Sequence, residues 1–264
     1  MKTSRSKKSR AQELAKQSAH KLREFYTTLV DRYGPQQWWP ARTQLEVIVG
    51  AFLTQNTSWK GVARSIENME SHSMLTLDAL RLIPEEELRL LIRPSGYMVR
   101  KAAAIKAFIH FLDAEYSGSL PALAAESTTT ARQKLLALPG IGPETADAIL
   151  LYALGHPVMV VDEYLRRVTT RHRLLHDKAS YPEIQTLALN AFAGDPDETL
   201  RGHYNEFHAL IVQVGKEHCG PLPRCNDCPL AGFHPRPRSS SHTSLSPNPE
   251  PQAAKLRTRS NAVS

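Results

Sequence analysis

Strict alternation of apolar and polar residues, the mark of a half-buried strand, is scarce along these 264 residues. The one extended candidate, VMVV at 158–161, is too short to make a sheet, so the pattern excludes a sheet-based architecture. Also missing is any run of about eighteen apolar residues, so no membrane-spanning helix is expected. The basic N-terminus is followed by no apolar segment and does not read as a secretory signal. Cysteine is rare: three residues, all between 219 and 228. That clustering is not a disulfide framework; it fits a reducing compartment and raises a metal site. No repeat period is evident.

Basic excess is missing where a folded nucleic-acid surface would need it. The net charge is +7, but residues 1–10 carry +5 and residues 235–264 carry +4, which leaves −2 for residues 11–234. The ends could bind phosphates without specificity or could simply solubilise the chain. Both read as disordered: 1–10 as a basic N-terminus, and 235–264 as a Pro- and Ser-rich tail too poor in apolar residues to offset its ordering entropy.

What is present is helical periodicity and, at 41% apolar residues, enough material for a sizeable core. Leu14, Leu22, Tyr26, Leu29, Val30 and Tyr33 predict a helix over 11–33, and the almost wholly apolar stretch 43–54 predicts a buried one. Further helices are expected at 58–70, 76–82, 85–92, 99–115, 130–138, 143–154, 163–175, 181–193 and 198–215. The fold class is therefore all-α, built from many short helices.

Two of these helices close on LPGIG at 138–142, followed by Pro143 at a helix start that tolerates proline. Glycines at 140 and 142 permit tight backbone and bare N–H groups at a helix N-terminus, which is an anion site. An ordinary helical-hairpin turn is the alternative. Downstream, Asp162 stands alone before the helix at 163, either as an N-cap or as a reactive carboxylate; the two roles are compatible, because a cap also fixes the carboxylate.

LPGIGPETADAILLYA resembles the helix–hairpin–helix of the endonuclease III superfamily of DNA glycosylases, and VMVVDEYLRRV resembles the loop carrying its catalytic aspartate. The likeness extends through EVIVGAFLTQNTSW, IRPSGYMVRKAAAI and FHALIVQVGKEHC, over roughly residues 35–230. It implies two helical subdomains (41–156, and 11–40 with 157–234) flanking a DNA-binding cleft. It further implies a cytoplasmic bacterial monomer, associated with the nucleoid, that acts on double-stranded DNA containing damaged bases. Asp162 would stabilise the positive sugar as the glycosidic bond breaks. Gly140, Ile141 and Gly142 would hold phosphate, Gln55 would fill the gap left by an extruded nucleotide, and Arg100 and Lys101 could meet the backbone.

Members that also cleave the strand use a lysine two residues after the second hairpin glycine. Here that residue is Glu144, which cannot form an imine and favours a water nucleophile. Within the superfamily the chain looks most like bacterial 3-methyladenine glycosylases of endonuclease III type. That likeness places Trp39 and Trp59 as a sandwich around a cationic flipped base, and Lys216 as a pocket lysine. Without it, the tryptophans would read as core. The alternatives are a bifunctional glycosylase/lyase acting on oxidised pyrimidines, with another lysine such as Lys216 substituting, and a non-catalytic hairpin module.

Cys219, Cys225 and Cys228 follow C-x5-C-x2-C, one residue short in the first gap of the superfamily's four-cysteine cluster pattern, with His234 at the fourth position. A 4Fe–4S cluster with this incomplete ligand set, a zinc site of three thiolates and His234, and free thiols all remain open.

Overall fold

Leu22, Phe25 and Leu29 fall on one stripe of α1 (Lys2–Tyr33) and are all fully buried. The computed structural model describes residues 2–36, 38–39 and 41–234. The helix begins at Lys2 rather than after residue 10: KTSRSKKSR holds no proline or glycine, so nothing in it stops the helix that follows. The tail after His234 lies outside the described residues.

Every element among the described residues is helical, and none of the helices is long and apolar enough to cross a membrane. After α1 come α2 (Gln44–Leu53), α3 (Trp59–Ser71), α4 (Leu77–Leu82), α5 (Glu85–Leu91), α6 (Met98–Tyr116), α7 (Leu120–Ala124) and α8 (Thr128–Leu136). Then follow α9 (Pro143–Ala148), α10 (Glu163–Arg171), α11 (Tyr181–Ala191) and α12 (Asp197–Glu217). Polar caps start several of them. Thr43 accepts from Glu46 N, Ser127 accepts from Thr130 N, and Ser180 and Glu183 form a reciprocal capping box; each such cap contributes about 1 kcal/mol.

α2 is the central rod: Leu45 through Leu53 are all buried, and it packs on α3, α6 and α9. α1, α10, α11 and α12 pack among themselves, and α12 reaches the turn that continues α9. That turn, Ile149–Ala153, is π-helical, closed by Leu154 N donating to Ile149 O at 3.0 Å. Gly155, at φ +79°, then ends the helix in the left-handed region. On α9, Asp147 is completely buried and ties the helices together. Arg132 of α8 grips it with two N–H groups at 2.6 and 3.1 Å, while Tyr181 and Gln185 of α11 donate to it at 2.7 and 2.8 Å.

Candidate active site

α8, the LPGIG turn and α9 make the helical hairpin. Gly140 has φ +79°, and a Cβ there would come within 2.9 Å of the Ala104 side chain, so glycine is required by both conformation and space. Gly142 faces open space. The N–H groups of these two exposed glycines have no partner among the described residues. Ile141 is different: its side chain is buried and its N–H donates to Leu138 O at 3.3 Å, so it anchors the turn and does not present an amide outward.

The turn opens onto a cleft of about 930 Å³ lined by the hairpin, the 54–59 loop, Asp162 and the last half of α12. Val158–Val161 is a loop with no regular secondary structure. Gln185 donates to Met159 O at 2.8 Å, and Val161 N donates to the Tyr181 hydroxyl at 3.2 Å, so α11 side chains hold the loop. This delivers Asp162, 8% exposed, to the cleft wall. Its Oδ1 accepts from Leu165 N at 2.7 Å as the N-cap of α10, and its Oδ2 lies 3.6 Å from His208 Nε2. Both sequence-derived roles for Asp162, cap and reactive carboxylate, are thus geometrically compatible.

Glu144 lies in the same cleft. Crowding by the cleft walls, with the Asp162 carboxylate as the second cause, pushes its carboxyl up to about 7, although the residue keeps contact with solvent. A carboxyl whose pKa is raised by folding lends stability below its ordinary value of 4.5 and loses it as pH rises through about 7. Glu144→Gln should therefore melt above the parent protein at pH 8, with the gap narrowing toward pH 5. Identical melting curves at both pH values would mean that this carboxyl is fully hydrated.

Trp39 and Trp59 meet in the cleft but do not form a sandwich. Their rings touch edge to face, with centroids 5.7 Å apart and planes at 77°, so a base would stack on an open face and not between them. Trp38 and Tyr152 complete the aromatic group, at 6.0 Å from Trp59 and 5.2 Å from Trp39 respectively. Gly50 makes the room: a Cβ there would sit 3.3 Å from the Trp39 ring. Trp59 is 38% exposed, Trp39 is half-buried, and the Lys216 ammonium lies over Trp38 at 5.5 Å.

Gln55 points at the hairpin. Its amide donates to Gly140 O and to Thr145 Oγ1, both at 2.9 Å, so entering DNA would require releasing both bonds. Lys101 is not a phosphate contact. It is 3% exposed, and its ammonium donates to Leu53 O, Thr57 Oγ1 and Ser95 O at 2.7–2.8 Å, tying the 54–58 loop to α6. Burial lowers its pKa to about 8, which still leaves it protonated at neutral pH. Arg100 is exposed on the same helix.

The profile described as "HhH-GPD superfamily base excision DNA repair protein" matches residues 49–193. A protein of Methanocaldococcus jannaschii named as a DNA repair glycosylase is 39% identical over 211 residues, covering 80% of this chain and 94% of its own. The chain belongs to the HhH-GPD superfamily of base excision DNA repair proteins. It is a DNA glycosylase of base excision repair. Among solved structures, an H. pylori 3-methyladenine DNA glycosylase bound to 1,N6-ethenoadenine is similar at a TM-score of 0.65 and 28% identity, covering 76% of this chain and 97% of that one. A trapped endonuclease III–DNA intermediate shares the fold at a TM-score of 0.68 and 22% identity, covering 81% and 94%.

In the glycosylase, all three cysteines and His234 line one cavity of about 240 Å³, yet they do not converge as a ligand set. Among the described residues no three His, Cys, Asp or Glu side chains are grouped to hold a metal ion. The Cys219 Sγ accepts from Arg171 Nη1 at 3.2 Å, and the His234 ring is stacked on His172 at 4.4 Å. Burial also raises the Cys228 thiol, favouring its neutral form. The residues as arranged fit neither the cluster nor the zinc site. The loop is held instead by α10: Arg167 donates to Cys219 O at 2.9 Å, and Arg171 donates to Gly220 O and Pro221 O at 2.7 and 2.9 Å.

Proposed function

We propose that this glycosylase is a monofunctional, monomeric enzyme that releases alkylated purines such as 3-methyladenine from duplex DNA. Glu144 carries the reading. It occupies the cleft beside Asp162, where an attacking amine would have to stand, and a carboxyl cannot form the imine that strand cleavage requires. Water is then the nucleophile. Asp162 stabilises the positive charge that develops on the sugar as the base departs. The aromatic group of Trp39, Trp59 and Trp38 suits a base carrying positive charge from ring alkylation. The likeness to the H. pylori 3-methyladenine glycosylase, at 28% identity, supports this choice of lesion.

Duplexes with single defined lesions test it. Free base should be released from the 3-methyladenine duplex without strand breakage, and borohydride should trap no covalent complex. Lys216 lines the cleft and is the lysine a bifunctional mechanism would recruit. A borohydride adduct lost in Lys216→Ala would overturn the monofunctional reading.

The hairpin amides hold a DNA phosphate in this reading. Because Gly142 faces open space, Gly142→Val should fold normally yet bind duplex roughly tenfold more weakly, as expected for one lost charge-assisted hydrogen bond. The slope of log affinity against log salt should stay near parental, because a neutral amide displaces no counterion. A folded Gly142→Val protein with parental affinity would refute the phosphate role.

A further inference from the structure

Sequence reasoning passed over His208, which is 8% exposed, lines the cleft and links Tyr152 to Asp162. Its Nδ1 is 2.5 Å from the Tyr152 hydroxyl, and its Nε2 is 3.6 Å from Asp162 Oδ2. We propose that Tyr152 and His208 are a positioning pair: the phenol fixes the imidazole tautomer so that an N–H faces the Asp162 carboxylate and orients it for base release. The inference rests on Asp162 being the catalytic carboxylate.

The proton positions follow from an accounting of donors. Tyr152 stays a neutral phenol, because its enclosed hydroxyl is pushed well above its ordinary value by burial first and by the Asp162 carboxylate second. An inward phenol proton needs an acceptor. Among the described residues the only partner of the Tyr152 hydroxyl is His208 Nδ1. The phenol therefore donates to Nδ1, and a ring with a single proton carries it on Nε2, the nitrogen that faces Asp162. The other tautomer would leave the phenol proton without a partner and turn the Nε2 lone pair against a carboxylate.

At 3.6 Å the Nε2–H is beyond a direct hydrogen bond, and a shift of roughly half an ångström closes it. Catalytic hydrogen bonds are often long before substrate binds. Once it forms, both oxygens of Asp162 are held, Oδ1 by Leu165 N and Oδ2 by His208, which fixes the plane of the carboxylate. Neither Tyr152 nor His208 need touch the reacting sugar.

A misplacement of about 1 Å at a reacting group can cost 10²-fold in rate. His208→Ala should therefore slow single-turnover base release by roughly 10²-fold, and Tyr152→Phe by about tenfold, each with duplex affinity unchanged. His208→Gln, whose amide N–H can reach toward Oδ2, should recover most of the loss. In full-length protein labelled with 15N-histidine, the signal missing from His208→Gln should report the Nε2–H tautomer, and Tyr152→Phe should shift it toward Nδ1–H. Melting curves identify any variant that has not folded, and the tautomer itself is read on the parent protein. An Nδ1–H tautomer in the parent, or His208→Gln no faster than a folded His208→Ala, overturns the proposal. Asp162→Asn measured alongside separates the two ideas. Normal turnover by that variant sinks the catalytic aspartate, whereas an inactive Asp162→Asn beside a fully active His208→Ala sinks the positioning pair alone.

Discussion

Asp162→Asn is expected to slow single-turnover base release by about 10²–10³-fold, the usual loss when one electrostatic partner of a transition state is removed, while duplex affinity stays near parental. The side chains are isosteric, and asparagine is as good an N-cap as aspartate. Its amide oxygen can still accept from Leu165 N, so α10 keeps its start and the fold is preserved. What is lost is charge at the place where the departing base leaves the sugar positive. The hairpin glycines lie on another wall of the cleft and keep their N–H groups. Binding and chemistry should therefore separate cleanly when affinity is measured by titration and rate by rapid quench. Near-parental turnover would remove Asp162 from the mechanism.

Lys101→Met should lower stability by about 3 kcal/mol, since a buried acceptor left without its donor costs ~1–3 kcal/mol and the other two hydrogen bonds to the ammonium are lost with it. Leu53 O loses its donor, Ser95 O keeps only the Thr57 hydroxyl, and Thr57 loses its link to α6. For a chain of this size the melting temperature should fall by roughly 6–12 °C. Duplex binding should weaken too, but through the 54–58 loop, which carries Gln55 and leads to Trp59. The salt slope therefore distinguishes the two accounts of this lysine. A phosphate contact removed would reduce it by about one, whereas a structural lysine leaves it unchanged. Parental melting with a reduced slope would restore Lys101 to the DNA surface.

That lysine shows where the sequence was legible and where it was not. Helix periods place most of α1–α12 within a few residues, and the all-α class followed from the same pattern. α7 escaped because its five residues are too short for a period, although Ser119 before it and Pro121 in its first turn are start signals. Lys101 looked like half of a basic pair after a turn. Yet it lies on the stripe of Ala104, Ile105 and Phe108, all buried, and that spacing would have placed it inside. His208 likewise shares a stripe with buried Tyr204 and Ile211 on α12. Its partner Tyr152 is 56 residues away in the chain, a separation that no local pattern bridges. The aromatic cleft was legible as residues but not as geometry: the edge-to-face meeting of Trp39 and Trp59 depends on the gap at Gly50, which is a property of packing. The cysteine spacing suggested a ligand set, and the arginines of α10 that hold the loop gave no motif to read.

The π-helical turn at Ile149–Ala153 acts as a length adjuster in the chain. A turn of this kind carries an extra residue compared with an α-helical one. Deleting one residue would let the backbone relax into an ordinary helix, so the fold could accept the shorter chain. The register beyond it would not survive, because each residue of an α-helix advances the side-chain direction by about 100°. Tyr152 would swing away from His208. An extra residue that looks dispensable by length is thus the one that aims a phenol at His208.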